Sequence, residues 1–298
     1  MNDLSIRLEG VSKRYPHFLL DNVSLDLPEG SILGFIGANG AGKSTTIRIL
    51  MGLVRQDSGT VEVLGHVMPA EQTAGKADIG FVSEDMRLYG APTLAWHMKF
   101  IASIYPQWNQ SYAEKLLRRF DLKPQQKIKG LSHGQRVKAA LLLALARQPR
   151  LLLLDEPTTG LDPVARREVL AELMAVLVDE RRTILFSSHN TLDVEQISDR
   201  IAFIDRGRII ALEEKEDLLD RWRRLRLVVP PRTALPSLPG VVEVGGTERL
   251  PVLTTSQFDP ALVSLCQDRG ATVQSVDPMT LEEIFVANVQ SRRELQPA

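Results

Sequence analysis

The chain has 298 residues, 44% of them hydrophobic and 24% charged, a composition that excludes a disordered polypeptide. Its 36 Lys and Arg against 37 Asp and Glu give a formal net charge of -1, which argues against nucleic acid as the main partner. Cys266 is the only cysteine, so an intrachain disulfide and a cysteine-built zinc or iron–sulfur site are excluded.

From the N-terminus, Met1–Ser5 lacks the basic start and apolar core of a secretion signal, so a reducing, cytoplasmic compartment is expected. The apolar run Ser31–Ile36 predicts a strand, and Lys43–Leu53 a helix after it. Ile79–Val82 reads as the next strand. Helices are expected over Leu94–Ile104, Ala113–Phe120 and Gly134–Arg147. Leu151–Leu154 is a run of leucines that periodicity alone reads equally as buried helix. Pro149 before it and Asp155-Glu156-Pro157 after it keep it short, which favours a strand covered on both faces. A helix over Pro163–Asp179, a strand over Thr183–Ser187, a helix over Leu192–Ile197 and a strand over Arg200–Asp205 complete the pattern. Such alternation indicates an α/β protein with a largely parallel sheet.

After about residue 220 the texture changes. Pro230-Pro231 and Pro236–Gly240 punctuate the chain. Short strands are expected at Arg226–Val229, Val241–Val244, Pro251–Thr254 and Thr272–Val276, with helices over Pro260–Arg269 and Leu281–Val289. This reads as a small second α/β domain over 221–298, after a first domain over 1–220. The basic run Arg221–Arg226, with Trp222 inside it, reads as a solvated linker helix, with anionic lipid or nucleic acid as the alternative contact. The longest apolar run, Ala139–Ala146, falls far short of the ~20 residues that span a bilayer.

Gly37-Ala38-Asn39-Gly40-Ala41-Gly42-Lys43-Ser44 matches the phosphate-loop pattern G-x-x-x-x-G-K-[ST], between a strand and a helix as the pattern requires. Successive backbone N–H groups there surround phosphate where side chains leave room, and Gly37, Gly40 and Gly42 leave it. Lys43 is expected at the β and γ phosphates, and the Ser44 hydroxyl on Mg²⁺.

Gly40-Ala41-Gly42-Lys43-Ser44-Thr45-Thr46 resembles the loop of the ABC ATPases, the nucleotide-binding subunits of ABC transporters. Leu151–Pro157 resembles that family's Walker B segment. An apolar strand carries Asp155 and Glu156 to its carboxyl end, where Asp155 can hold the metal and Glu156 can deprotonate the attacking water. His189 resembles the switch histidine that contacts the γ phosphate. Leu131-Ser132-His133-Gly134-Gln135 resembles the signature motif, usually Leu-Ser-Gly-Gly-Gln, which closes over ATP held by a second subunit. His133 departs from that pattern, while Gly134, the glycine nearest the phosphate, is retained. Leu161-Asp162-Pro163 is similar to the D-loop that couples the two sites. Tyr15 stands where the family stacks a ring on adenine. Glu84 stands where it has the glutamine that touches Mg²⁺; a carboxylate keeps the oxygen ligand but cannot donate a hydrogen bond.

The resemblance implies a P-loop NTPase fold of ABC type, with a RecA-like core, an antiparallel β subdomain and a helical subdomain over about 86–130. Trp96, Phe100, Tyr105 and Trp108 in that subdomain are expected as core residues, with a partner interface as the alternative. Met279–Phe285 resembles the tail motif of export-type members. The implied function is that of an ATPase dimerising around two ATP and Mg²⁺, peripheral on the cytoplasmic face of the membrane, and driving export through separate permease subunits. The alternative is a soluble ABC ATPase acting on ribosomes, nucleic acid or cofactor assembly.

Overall fold

The computed structural model describes residues 4–180, 182–230, 238 and 240–295 and divides into two units, Met1–Leu212 and Glu213–Ala298. Pro231, Pro236, Ser237 and Pro239 of the proline-rich punctuation lie outside the described residues.

In chain order the first unit holds β1 (Leu4–Tyr15), β2 (Phe18–Pro28), β3 (Ile32–Ile36), α1 (Lys43–Leu50), β4 (Ser58–Val63), β5 (His66–Val67), α2 (Gln72–Ala77) and β6 (Ile79–Ser83). Then come α3 (Leu94–Ile104), α4 (Gln110–Arg119), α5 (His133–Leu145), β7 (Leu151–Asp155), α6 (Pro163–Glu180), β8 (Thr183–Ser188), α7 (Thr191–Ile197), β9 (Arg200–Asp205) and β10 (Arg208–Glu214). Every residue of β3, β7 and β8 is buried, as in strands covered on both faces. The four leucines of β7 are therefore strand.

These strands lie in a six-stranded sheet of order β10-β9-β3-β8-β7-β6. β6, β7, β8, β3 and β9 run parallel. Their register aligns Ile36 with Ser188, Ser187 with Asp155, and Asp155 with Ser83. The residues that follow β3, β8, β7 and β6 thus emerge together at one carboxyl edge, where open parallel sheets carry their ligands.

A second sheet, β2-β1-β4-β5, is antiparallel. Its strands alternate: Leu8, then Val23, Leu25 and Leu27, then Val61 and Val63, are buried between more exposed neighbours. Several helix ends differ from the expected bounds, among them that of the last helix, Leu281–Leu295, which runs past the expected Val289. α1 stops at Leu50, not Leu53, because Gly52 turns left-handed at φ 60° and the Leu53 N–H bonds back to Arg48 O. α4 begins at Gln110, not Ala113, because the Asn109 side chain accepts the Tyr112 N–H as an N-cap.

The helical subdomain is tied to the sheet unit through a buried carboxylate. Glu172 on α6, 1% exposed, accepts the Tyr112 hydroxyl at 3.0 Å and pairs with Arg119, both on α4. Burial pushes the Glu172 carboxyl up; it pushes the Tyr112 phenol up as well, helped by the adjacent carboxylate.

The second unit holds α8 (Lys215–Arg221), β11 (Arg223–Val228), β12 (Val241–Thr247), β13 (Leu250–Thr255), α9 (Pro260–Asp268), β14 (Thr272–Pro278) and α10 (Leu281–Leu295). Its antiparallel sheet, β12-β13-β11-β14, packs on a core of Leu225, Leu227, Leu253, Leu262 and Cys266. The basic run is not a solvated helix. Trp222 is buried, and residues from Arg223 onward form the inner strand β11. Arg221 pairs with Glu213, Arg224 with Glu283 and Arg226 with Asp277, so its positive charge is met by carboxylates of the same unit.

The tail motif Met279–Phe285 has a structural reading. Thr280 and Glu283 form a reciprocal cap at the start of α10, with Thr280 N donating to Glu283 Oε2 and Glu283 N to Thr280 Oγ1. Met279, Leu281 and Ile284 fill the core around it. The Thr280 backbone N–H, then Arg224, hold the Glu283 carboxyl below the usual range. A carboxyl depressed in the folded state stabilises above its unfolded pKa, and that stability is lost as pH falls through the folded value. Glu283→Ala should therefore lower thermal stability by about 1 kcal/mol at pH 7. The loss should shrink in acid; thermal melts at both pH values check it.

Candidate functional site

The phosphate loop closes on itself. Gly40 and Gly42 have φ of 78° and 118°, and a Cβ on Gly42 would sit 3.0 to 3.1 Å from Leu20, Ile204 and Phe18. Only glycine fits there without strain. Lys43 opens α1 and is 5% exposed. Its ammonium donates to Gly37 O at 2.6 Å and Ala38 O at 3.3 Å, bending back over the loop.

Glu156 meets it from β7. The Lys43 Nζ to Glu156 Oε1 distance is 3.1 Å, and His189 Nδ1 lies 2.8 Å from Oε2. The Thr159 hydroxyl donates to the same Oε2 at 3.0 Å. Oε1 is buried and makes no hydrogen bond, so its link to Lys43 is ionic. Glu156 takes a left-handed φ of 53°, uncommon for a side-chain-bearing residue and a mark of local strain. The strain turns the chain sharply after β7. Asp155 is held one step back, its Oδ1 accepting the Ser187 hydroxyl at 2.7 Å.

Ala38, Asn39, Gly40, Gly42, Lys43, Ser44 and Thr45 line one cleft with Glu84 and Glu156. The Glu84 N–H donates to Asp155 O at 3.0 Å, which ties that loop to the end of β7. Ser44, Asp155 and Glu84 are hard oxygen donors suited to Mg²⁺. Among the described residues no three His, Cys, Asp or Glu side chains converge on a metal position. A cation here would complete its shell with phosphate and water oxygens, as Mg²⁺ commonly does.

Ser132, Gly134, Gln135 and Asp162 lie outside this cleft. Ser132 and Gln135 form a capping box at the start of α5: Gln135 N donates to Ser132 Oγ, and Ser132 N to Gln135 Oε1. Asp162 caps α6, accepting the Val164 and Ala165 N–H groups at 2.9 and 3.0 Å. Those bonds, Ala165 first, hold its carboxyl low. Tyr15 is 38% exposed at the end of β1 and does not line the cleft; His17 and Phe18, in and after the hairpin turn, do. Sequence reasoning assigned nothing to those two, although the two-residue turn between the hydrophobic alternations of β1 and β2 signals the hairpin that delivers them.

Asp193 was also missed. It is 2% exposed on α7 and binds the Thr158 hydroxyl at 2.7 Å and the Arg166 guanidinium. It thereby bolts the turn after Glu156, the first turn of α6 and the helix after His189 together. Its signal was an acidic residue four positions after His189 on a short helix, too common to single out. The helical-subdomain aromatics correct an expectation. Trp96 and Phe100 are exposed on α3, stacked at 5.1 Å with an 8° interplanar angle, and Tyr89 meets Trp96 edge-on at 6.3 Å. Trp96 and Phe100 sit on successive turns of one face of α3, and the buried residues of the subdomain include Leu94, Met98, Ala113 and Leu116 instead.

Comparison with known proteins extends this geometry. The ABC transporter family model matches residues 20–159. The chain is 35% identical to the linearmycin resistance ATP-binding protein LnrL of Bacillus subtilis (strain 168), over 72% of this chain and 71% of that one. It is 32% identical to the daunorubicin resistance ATP-binding protein DrrA3 of Streptomyces coeruleorubidus, over 96% of both. A solved ATP-binding subunit of an ABC transporter superposes with a TM-score of 0.66 at 26% identity, over 72% of this chain and 92% of that one.

Proposed function

The chain belongs to the family of ABC transporter ATP-binding proteins, which are ATPases, and from that premise we propose that it is the energising subunit of an exporter. Two copies close on two ATP, hydrolyse them and move separate transmembrane subunits. One observation carries the chemistry: Lys43, Asp155, Glu156 and His189 converge at the shared edge of β3, β7 and β8.

Lys43, Gly37 and Asn39–Thr45 bind the phosphates, with Lys43 at the β and γ groups. Ser44, Asp155 and Glu84 would hold Mg²⁺, which would supply positive charge against the charge developing on the phosphates. Glu156 takes the proton of the attacking water as its oxygen bonds to the γ phosphorus and the bond from that phosphorus to the β–γ bridging oxygen breaks, with ADP leaving on that oxygen. His189 is fixed on Glu156 Oε2 through Nδ1 and presents its other ring nitrogen to the γ phosphate. Ser132, Gly134 and Gln135 present the start of α5 to the nucleotide of the second copy, and Asp162 lies between the two sites.

None of the described helices is long and apolar enough to cross a membrane, and in this reading transport runs through a separate partner. Trp96, Phe100 and Tyr89 offer it an exposed apolar surface, together with Ile104. The resistance functions in the names of LnrL and DrrA3 favour an antibiotic-like cargo, handled at the cytoplasmic face of the membrane.

The test is co-isolation. The tagged chain, expressed with its own permease and purified from detergent-solubilised membranes, should retain that polytopic protein. Trp96→Asp/Phe100→Asp should lose most of it, at least tenfold, while ATP binding persists. A chain that sediments with ribosomes or DNA and never with membranes would point to the soluble alternative.

A further inference from the structure

His133 stands at the first position of α5, directly after the Ser132 cap. Its Nε2 lies 3.0 Å from Thr159 O. A carbonyl oxygen only accepts, so Nε2 carries the hydrogen and donates. The ring rests over the turn Thr158-Thr159-Gly160. A Cβ on Gly160, whose φ is 71°, would come within 3.2 Å of Nε2. The glycine leaves the room the imidazole occupies.

Thr159 therefore has two partners from two motifs. Its carbonyl accepts from His133, and its hydroxyl donates to Glu156 Oε2 at 3.0 Å. The start of α5 and the carboxylate beside the phosphate loop are joined through a single residue. His133 also lines a second cleft together with Glu84, Glu156 and Thr159.

We infer that His133 is a positioning residue that links the two nucleotide sites of the dimer. This rests on the dimeric reading above. The α5 start faces the nucleotide of the other copy, while Glu156 faces its own. When closure presses on Ser132 and Gly134, the displacement reaches Glu156 through His133 and Thr159. Each site then senses occupancy of the other through one hydrogen bond within the chain. A glycine at 133 has no side chain to make that bond.

Steady-state ATP hydrolysis across ATP concentration tests this in the full chain, with His133→Ala, His133→Gly and His133→Gln. The parent should show a Hill coefficient above one. The alanine and glycine variants should lose about fivefold in kcat, the scale of one hydrogen bond. Their Hill coefficients should fall toward one. The glutamine variant keeps a donor near the Nε2 position and should restore both quantities. His133 is exposed, so these variants should fold as the parent does. Parent-like kcat and Hill coefficient in His133→Ala would overturn the proposal. So would a lower kcat with unchanged cooperativity, which would confine His133 to orienting Glu156 locally. Failure of glutamine to rescue would also overturn it, since ring packing would then be the active feature. ATP-dependent dimerisation of Glu156→Gln, measured by sedimentation, judges the dimeric reading separately. A monomer there would remove that reading, and the linkage with it.

Discussion

Glu156→Gln should bind ATP as tightly as the parent and hydrolyse it about 10²-fold more slowly or worse, the scale of lost general-base help. The substitution keeps the shape and removes the chemistry. An amide carbonyl placed at the Oε2 position still accepts from the Thr159 hydroxyl and from His189. The amide nitrogen then faces Lys43, which retains Gly37 O and Ala38 O as acceptors. Local structure therefore survives. An amide cannot take a proton from water at neutral pH, so the γ phosphorus is left facing an unactivated nucleophile. In the proposed dimer, where hydrolysis would reverse closure, the variant should accumulate as an ATP-bound dimer on gel filtration. Phosphate release at the parent rate would remove Glu156 from the role of base.

The parts of this site that were legible in the sequence share a property. Each motif follows directly on a strand of the parallel sheet, so pattern and position agree. The run Ile32–Ile36 ends at Gly37, Leu151–Leu154 at Asp155, and Thr183–Ser188 at His189. Register then does the assembly, aligning the strand ends across β3, β8, β7 and β6. Short apolar runs and the residues that bound them were enough for these elements. What escaped depends on contacts distant in sequence. Asp193 reaches Thr158 and Arg166 across 35 and 27 positions. Glu172 reaches Tyr112 across 60. No local pattern encodes such a meeting.

The antiparallel sheet was implied by the family resemblance, but its strands were not placed from the residues, for a different reason. Its alternation of buried and exposed residues is present in β1, β2 and β4, but period two is a weaker signal than an unbroken apolar run. Arg221–Arg226 misled because composition was read without partners. Glu213, Asp277 and Glu283, which neutralise three of its arginines, lie before the run and far after it. Trp96 and Phe100 misled in the opposite sense, since aromatic residues at helical spacing are ordinarily buried. Their exposure became evident only once α3 was seen to pack through Leu94, His97 and Met98.

Lys43→Ala is expected to weaken ATP binding about 10- to 100-fold, the range of charge-assisted hydrogen bonds to phosphate. It should also destabilise the empty protein, and the two effects can be separated. Lys43 is the cation beside buried Glu156 Oε1, and a buried carboxylate stripped of its counter-charge costs up to about 3–5 kcal/mol. Adding Glu156→Gln removes that orphaned charge. The double variant should therefore regain much of the lost melting temperature, while its ATP affinity stays low, because neither substitution restores a cation at the phosphates. Affinity is read by fluorescent-nucleotide titration and stability by thermal melts without nucleotide. Recovery of both together would mean that Lys43 acts on ATP only by keeping Glu156 in place. Recovery of stability alone assigns the ammonium two separate tasks, one toward the carboxylate and one toward the nucleotide. Lys43→Arg should not substitute for it. The planar guanidinium cannot fold back over Gly37 O and Ala38 O as the flexible ammonium stem does.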